Sequence, residues 1–192
     1  MQALARLGDG LARIAIAAGR VGSWACVPLV AFILVDVVSR RFFHSGSTML
    51  QELEWHFHAF LFLLCLGYAY IRNAHVRIDL VREHLAERTR TILELAGFVL
   101  VLAPFCSLMI WYGVDIAWRA WQQGEGSPNP GGLPHWWIVK SAVPLGLLLL
   151  LLAGTAVAIR KSLLLFAPEA LARAVAEREH RETQGAVDER RS

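Results

Sequence analysis

Apolar residues in this chain fall into four long blocks, separated by short charged or turn-rich connections. The blocks run over about 21–38, 55–71, 92–117 and 136–159. A helix that crosses a bilayer needs about 20 predominantly apolar residues. Each block therefore predicts a transmembrane helix, the second only just long enough. The third is long for a perpendicular helix and is expected to tilt or to run past the membrane surface. Pro28 is expected to bend the first span without breaking it, because neighbouring helices repair such sites in membranes. Pro104 falls in the middle of the third.

The flanks read differently. Before the first block, Leu4, Leu7, Leu11, Ile14 and Ala18 recur at spacings of three and four, with Arg6, Asp9 and Arg13 off that stripe. This predicts a helix over 1–20, either lying in the membrane interface or extending the first span into the cytoplasm. The first block ends in Asp36-Val37-Val38-Ser39-Arg40-Arg41 with no small-residue cleavage site, so an uncleaved span is expected. Residues 161–192 are charged and lack large apolar residues after Leu171. They predict a tail that begins helical and frays. The domain plan is an N-terminal helix (1–20), a four-span membrane domain (21–160) and a cytoplasmic tail (161–192).

Composition agrees with this pattern. The chain is 56% hydrophobic and only 18% charged, with a mean hydropathy of +0.45. A soluble domain is about 45–50% apolar and roughly a quarter charged. The fold class is thus an all-α integral membrane protein with four transmembrane helices. The net charge of +3 comes from basic residues beside the spans, which set orientation and argue against nucleic-acid binding. Arg72, Arg77, Arg82, Arg88 and Arg90 crowd one connection, and Arg160 and Lys161 follow the last span. The connection 119–135 has one arginine and the run GEGSPNPGGLP. Both termini and the 72–90 connection are therefore expected in the cytoplasm, with 39–52 and the Gly/Pro loop outside. Arg40 and Arg41 are exceptions, with Glu52 and Glu54 as their expected counter-charges. Cys26, Cys65 and Cys106 lie in apolar blocks without C-x-x-C spacing and read as small membrane-buried side chains.

Candidate chemistry is sparse. His56 and His58 are two apart and so point to nearly opposite sides of a helix, which disfavours a shared metal. Each has a carboxylate four residues earlier, Glu52 and Glu54, predicting hydrogen-bonded pairs at the membrane rim. Asp36/Arg40 and Asp115/Arg119 repeat one Asp-x-x-x-Arg spacing that can neutralise itself at a span end. Lys140 sits near the start of the fourth span. The span centres, VAFILV, AFLFLLCLG, LVLAPFCSL and GLLLLLLAG, carry no charge. Ion-binding transporters place polar groups and broken helices near mid-membrane. The pattern points to a helper or scaffold, not an enzyme, with no metal or cofactor of its own. The alternative is a haem- or quinone-linked membrane anchor of a redox enzyme.

Several motifs in order resemble the small, DctQ-like membrane subunit of tripartite ATP-independent periplasmic (TRAP) transporters. They are Arg40-Arg41-Phe42-Phe43 after the first span, Glu52 before the second, and Leu66-Gly67 late in it. The exit Arg72-Asn73-Ala74-His75-Val76-Arg77-Ile78-Asp79 is similar to the family's Arg-x-x-His-ϕ-x-ϕ-Asp pattern, and Val143-Pro144-Leu145-Gly146 to its Pro-x-Gly step. The resemblance covers about 20–160. It implies a bacterial inner-membrane subunit that braces a large membrane subunit carrying substrate and sodium, with solute delivered by a periplasmic binding protein. The loop SPNPGGLP before Trp136-Trp137 is similar to the branch linked to mannitol, 2-oxo acid or chloroaromatic uptake.

Overall fold

A computed structural model describes residues 2–44, 46–72 and 86–166. The described residues form helices joined by short connections, with no strand among them. The helices are α1 (Gln2–Ser23), α2 (Cys26–Phe43), α3 (Thr48–Ile71), α4 (Glu87–Gly97), α5 (Ala103–Gln122) and α6 (Trp137–Phe166). A π-helical turn, Phe98–Leu102, joins α4 to α5 without a break. Among the described residues, three stretches are long and apolar enough to cross a membrane: 2–43, 88–122 and 137–166. α3 is not among them, because His56, His58, Tyr68 and Tyr70 dilute its apolar run; its 24 residues still span about 36 Å.

The prolines explain where the long helices depart from regularity. A proline has no N–H for the carbonyl four residues earlier, and its ring crowds that carbonyl. For Pro28 this carbonyl belongs to Trp24. The first span, expected to continue through this point, is interrupted at Trp24–Ala25. Tighter bonds bridge the gap: Trp24 N–H donates to Val21 O (3.2 Å), Ala25 N–H to Gly22 O (3.0 Å) and Val27 N–H to Trp24 O (3.2 Å). Trp24 is 74% exposed on the bundle's side, next to the Gly22–Leu64 contact about two turns before the end of α3. Pro104 follows the π turn, where Ala103 N–H reaches back five residues to Phe98 O. That wider turn is where the helix accommodates a missing donor.

The bundle closes where α3 and α6 meet. A Cβ on Gly67 would lie 2.7 Å from Leu149 O, and one on Gly146 2.7 Å from Leu63 Cβ and 2.8 Å from Leu63 O. The two backbones thus touch at two successive levels, each opened by one glycine. Small residues that let helices approach are the usual solution where lipid gives no hydrophobic drive for association. α6 buries Ala142, Ala153, Gly154 and Ala156 for the same purpose.

α1 packs onto this pair. Its buried residues are Gly8, Ala12, Ala15, Gly19 and Gly22, spaced four and three as in a coiled-coil seam. Gly19 lies against Tyr68, Gly22 against Leu64 and Gly8 against Ile159. The apolar stripe faces away from this seam: Leu4, Leu7 and Ile14 are about half exposed. Arg6 and Arg13 are exposed too. Together α1 and α2 reach about 60 Å, roughly twice a bilayer's hydrocarbon core, so their two ends lie at different depths. α2 packs chiefly on α3, where Phe32 stacks on Phe57 with ring centres 5.4 Å apart.

Changing Gly146 to Val should lower the thermal unfolding midpoint in detergent by several degrees, a cost of about 1–3 kcal/mol for overpacking. Gly97, with open space around its Cβ position, should accept Ala without loss. Equal behaviour of the two variants would remove the α3–α6 crossing from its central place.

Candidate functional site

The polar chemistry of the bundle is gathered at its two ends. One end holds the N-terminus of α3, the C-termini of α2 and α5, and the loop from Gln123 to Trp136. Here Glu52 is 1% exposed. Sequence spacing paired its carboxylate with His56; the structure does otherwise. His56 Nδ1 lies 2.6 Å from the backbone carbonyl of Glu52, and its ring meets Trp136 edge-on. The carboxylate instead receives the loop. Ser127 Oγ–H and Asn129 Nδ2 (3.4 Å) donate to Oε1, and Leu133 N–H donates to Oε2 (2.6 Å). Ser127 Oγ also accepts from Asn129 N–H at 3.0 Å. Gly132 sits so close that a Cβ would lie 2.7 Å from Glu52 Oε1 and 2.3 Å from Ser127 Oγ.

The loop has few other bonds. Ser127 N–H donates to Leu133 O, Gly132 N–H to Asn129 O, and Trp136 N–H to Glu125 O. Gly124 and Gly131 supply the left-handed turns at φ +59° and +74°. Lys140 Nζ grips both oxygens of Glu125 at 2.5 and 2.6 Å, tying the loop's start to the first turns of α6. A short loop of this composition has no apolar core, so a buried carboxylate serves as its centre.

Glu52 precedes the apolar part of α3. Its acidity is raised, with its pKa held below the ordinary 4.5, first by the Ser127 hydroxyl and then by the Leu133 amide; burial works in the other direction.

The remaining candidates divide. Arg40 donates to Asp36 at 2.7 Å, so its counter-charge is Asp36 and neither Glu52 nor Glu54. Arg41 is exposed. Arg119 binds both oxygens of Asp115 on the surface of α5. No bond joins Glu54 to His58; Glu54 Oε1 and Asp36 Oδ1 are buried with no hydrogen-bond partner, and His58 is exposed. Gly67 and Pro144 belong to the packing: Pro144 is buried against Gly113. Arg72 caps α3 and lies over the Tyr68 ring at 5.4 Å. His75, Arg77 and Asp79 lie outside the described residues.

At the other end, Asp9 of α1 meets Arg160 of α6 at 3.2 Å, and Glu94 of α4 meets Lys161 at 3.7 Å. These bonds fasten α1 and α4 to α6. Nothing in the sequence pairs Glu52 with a loop 75 residues away; the available signal was the turn-forming Ser-Pro-Asn run, rich in donors that need an acceptor.

What the arrangement offers is fixed helix ends and a shaped loop, with apolar span centres between them. The sequence model of one family, the DctQ component of tripartite ATP-independent periplasmic transporters, matches residues 29–164, more than two-thirds of the chain. The chain belongs to the DctQ family. It is therefore a membrane component of a TRAP transporter, a family of transport proteins and not of enzymes. Comparison with curated proteins returns no match. The family match runs from α2 to α6 and leaves the whole of α1 outside it.

The Glu52 latch gives a signed pH dependence. A carboxyl whose folded pKa is depressed stabilises the fold above its unfolded pKa, and that contribution is lost as pH falls through the folded value. Protection of the Leu133 amide against hydrogen exchange, taken relative to an unstructured amide at the same pH, should be high at neutral pH and fall as pH drops through the carboxyl's depressed titration range. In Glu52→Gln it should be low at every pH. Equal protection in variant and parent would show that the loop does not depend on the carboxylate.

Proposed function

We propose that this DctQ protein is the small permease subunit that braces the large ion- and substrate-carrying subunit during sodium-coupled uptake of an organic acid or similar small solute. A periplasmic binding protein delivers the solute. The chain lies in the bacterial inner membrane with both termini in the cytoplasm. α3 is its fourth crossing, packed against α1, α2 and α6.

One observation carries this reading: the polar side chains of the described bundle cluster at its ends and chiefly bind one another, and the helix centres offer no polar route. Supporting it, α2 and α4–α5 turn wide apolar faces outward. Leu100, Trp111 and Phe43 are 74–76% exposed, and Leu34 and Val37 more than half. Bare apolar surface of that extent belongs against lipid or a partner's helices.

The exposed Arg41 and the paired Arg40 separate docking from folding. Arg41→Glu should leave the bundle's unfolding midpoint unchanged and lower both co-purification with the large subunit and uptake. Solute capture by the binding protein should not change. Arg40→Glu, which sets a second carboxylate beside Asp36, should lower the midpoint as well. Full assembly and uptake with Arg41→Glu would reject the charged end as a docking point. A cysteine placed at Ala74 should react only with reagents that reach the cytoplasmic face; labelling from outside would reverse the orientation.

A further inference from the structure

An open groove of about 600 Å³ runs between α5 and α6. Its α5 wall is formed by Ile110, Val114, Ala117 and Trp121, with Trp118 beside them. Its α6 wall is formed by Trp137, Ser141, Pro144 and Leu148. Both walls follow the spacing four, three, four, which is the spacing of residues that face a packed helix. The helices run antiparallel, with Gly113 against Pro144 and Phe98 against Gly154. Trp121 and Trp137 therefore stand at the loop end, and Ile110 and Leu148 about 17 Å away, three turns along. Ala117 and Pro144 are buried and make the floor. Trp118 and Trp121 are each about half exposed, with ring centres 4.9 Å apart. The Ser141 hydroxyl already donates to Trp137 O at 2.7 Å.

The bundle itself shows what such a groove takes. On the other flank of α6, the groove between α3 and α6 is filled by a helix, α1. A Cβ on Gly67 of α3 would meet both Leu149 O of α6, at 2.7 Å, and Ala15 Cβ of α1, at 3.3 Å, so three helices converge there. Gly8 of α1 lies against Ile159 of α6, and Gly19 and Gly22 against Tyr68 and Leu64 of α3. Among the described residues, no helix fills the groove between α5 and α6 in the same way. Its walls also differ. α3 and α6 close to backbone contact and accept only glycine and alanine from α1. α5 and α6 hold small Ala117 and Ser141 between bulky tryptophans, which leaves holes for large side chains.

The charges nearby limit the occupant further. Asp115 and Arg119 bind each other, as do Glu125 and Lys140, and these pairs neighbour the loop end of the groove in sequence. They offer no unmatched charge to a headgroup or a charged ligand, and an apolar helix can cover them without stranding one. We propose that this groove seats a transmembrane helix of the large membrane subunit. That helix presents large aliphatic or aromatic side chains at spacings of three and four, entering beside Val114, Ser141 and Leu148, with Trp118 and Trp121 packed along it. Tryptophans so placed are common anchors of an interface. The inference rests on the bracing role and names the face that performs it.

The test uses the full chain co-expressed with the large subunit in native membranes and purified with it. A photoactivatable benzophenone side chain in place of Val114 or Leu145, both in the groove, should cross-link to the large subunit. The same side chain in place of Ile116, exposed two residues from Val114 and so on the far side of α5, should not. Trp118→Ala together with Trp121→Ala should lower the retained large subunit about tenfold. Val114→Trp, which fills the groove from its exposed wall, should do the same, and Ile116→Ala should change nothing. None of these changes should move the unfolding midpoint of the chain purified alone. The cross-link needs no destabilising change, so it decides even where a variant folds poorly. Adducts with lipid alone or with a second copy of this chain, equal cross-linking from Ile116, or full retention in the tryptophan and Val114 variants would each overturn the proposal and leave the bracing role to another face. A parent chain that does not co-purify with the large subunit would overturn the bracing role and this contact together.

Discussion

The structure depends on one close approach. α3 and α6 come together until backbone meets backbone at Gly67–Leu149 and Leu63–Gly146, and the other helices are arranged around that pair. α1 lays its small-residue seam against both, α5 sets Gly113 against Pro144 of α6, and the π turn sets Phe98 against Gly154. In lipid, packing of this kind replaces the hydrophobic drive that assembles a soluble core. It also explains an otherwise odd distribution of burial. Apart from Glu52, the most buried residues are small, and many large apolar side chains face outward.

The charges complete this frame by fixing its ends. At one end a single carboxylate, Glu52, organises a loop that has no core of its own, and Lys140 holds that loop to α6. At the other, Arg160 and Lys161 hold α1 and α4. Pairing within a chain compensates charges that lie close to an apolar layer. A bundle pinned at both ends and tightly packed in the middle has little room to rearrange, which suits a fixed partner of a moving subunit. α2 is the exception. It packs chiefly on α3, exposes much of its surface, and ends in Arg41, Phe42 and Phe43, all exposed.

Much of this was written in the sequence. Four apolar blocks set the helical plan, the Asp36/Arg40 and Asp115/Arg119 spacings each correspond to an observed ion pair, and ordered motifs led to the family. What escaped had physical causes. Period alone set Leu4, Leu7 and Ile14 on one apolar stripe, for a helix in the membrane interface or an extension of the first span, and these residues are about half exposed. It did not mark Gly8, Ala12, Ala15, Gly19 and Gly22 as the packing seam, because small residues carry no strong hydrophobic signal. His56 was matched to the nearest carboxylate along the helix, but a loop far along the chain brought that carboxylate better donors. The break at Trp24–Ala25 follows from Pro28, and its bridging bonds depend on neighbours that no local pattern specifies.

The role proposed for this DctQ chain is to support another subunit and to carry no solute itself. Co-reconstitution in sealed vesicles tests it most directly: the large subunit alone, this chain alone, and both together, each with the solute-loaded binding protein and an inward sodium gradient. The account predicts uptake only with both chains, none with this chain alone, and loss of uptake when Gly146→Val loosens the bundle. Full uptake by the large subunit alone, or any by this chain alone, would contradict it.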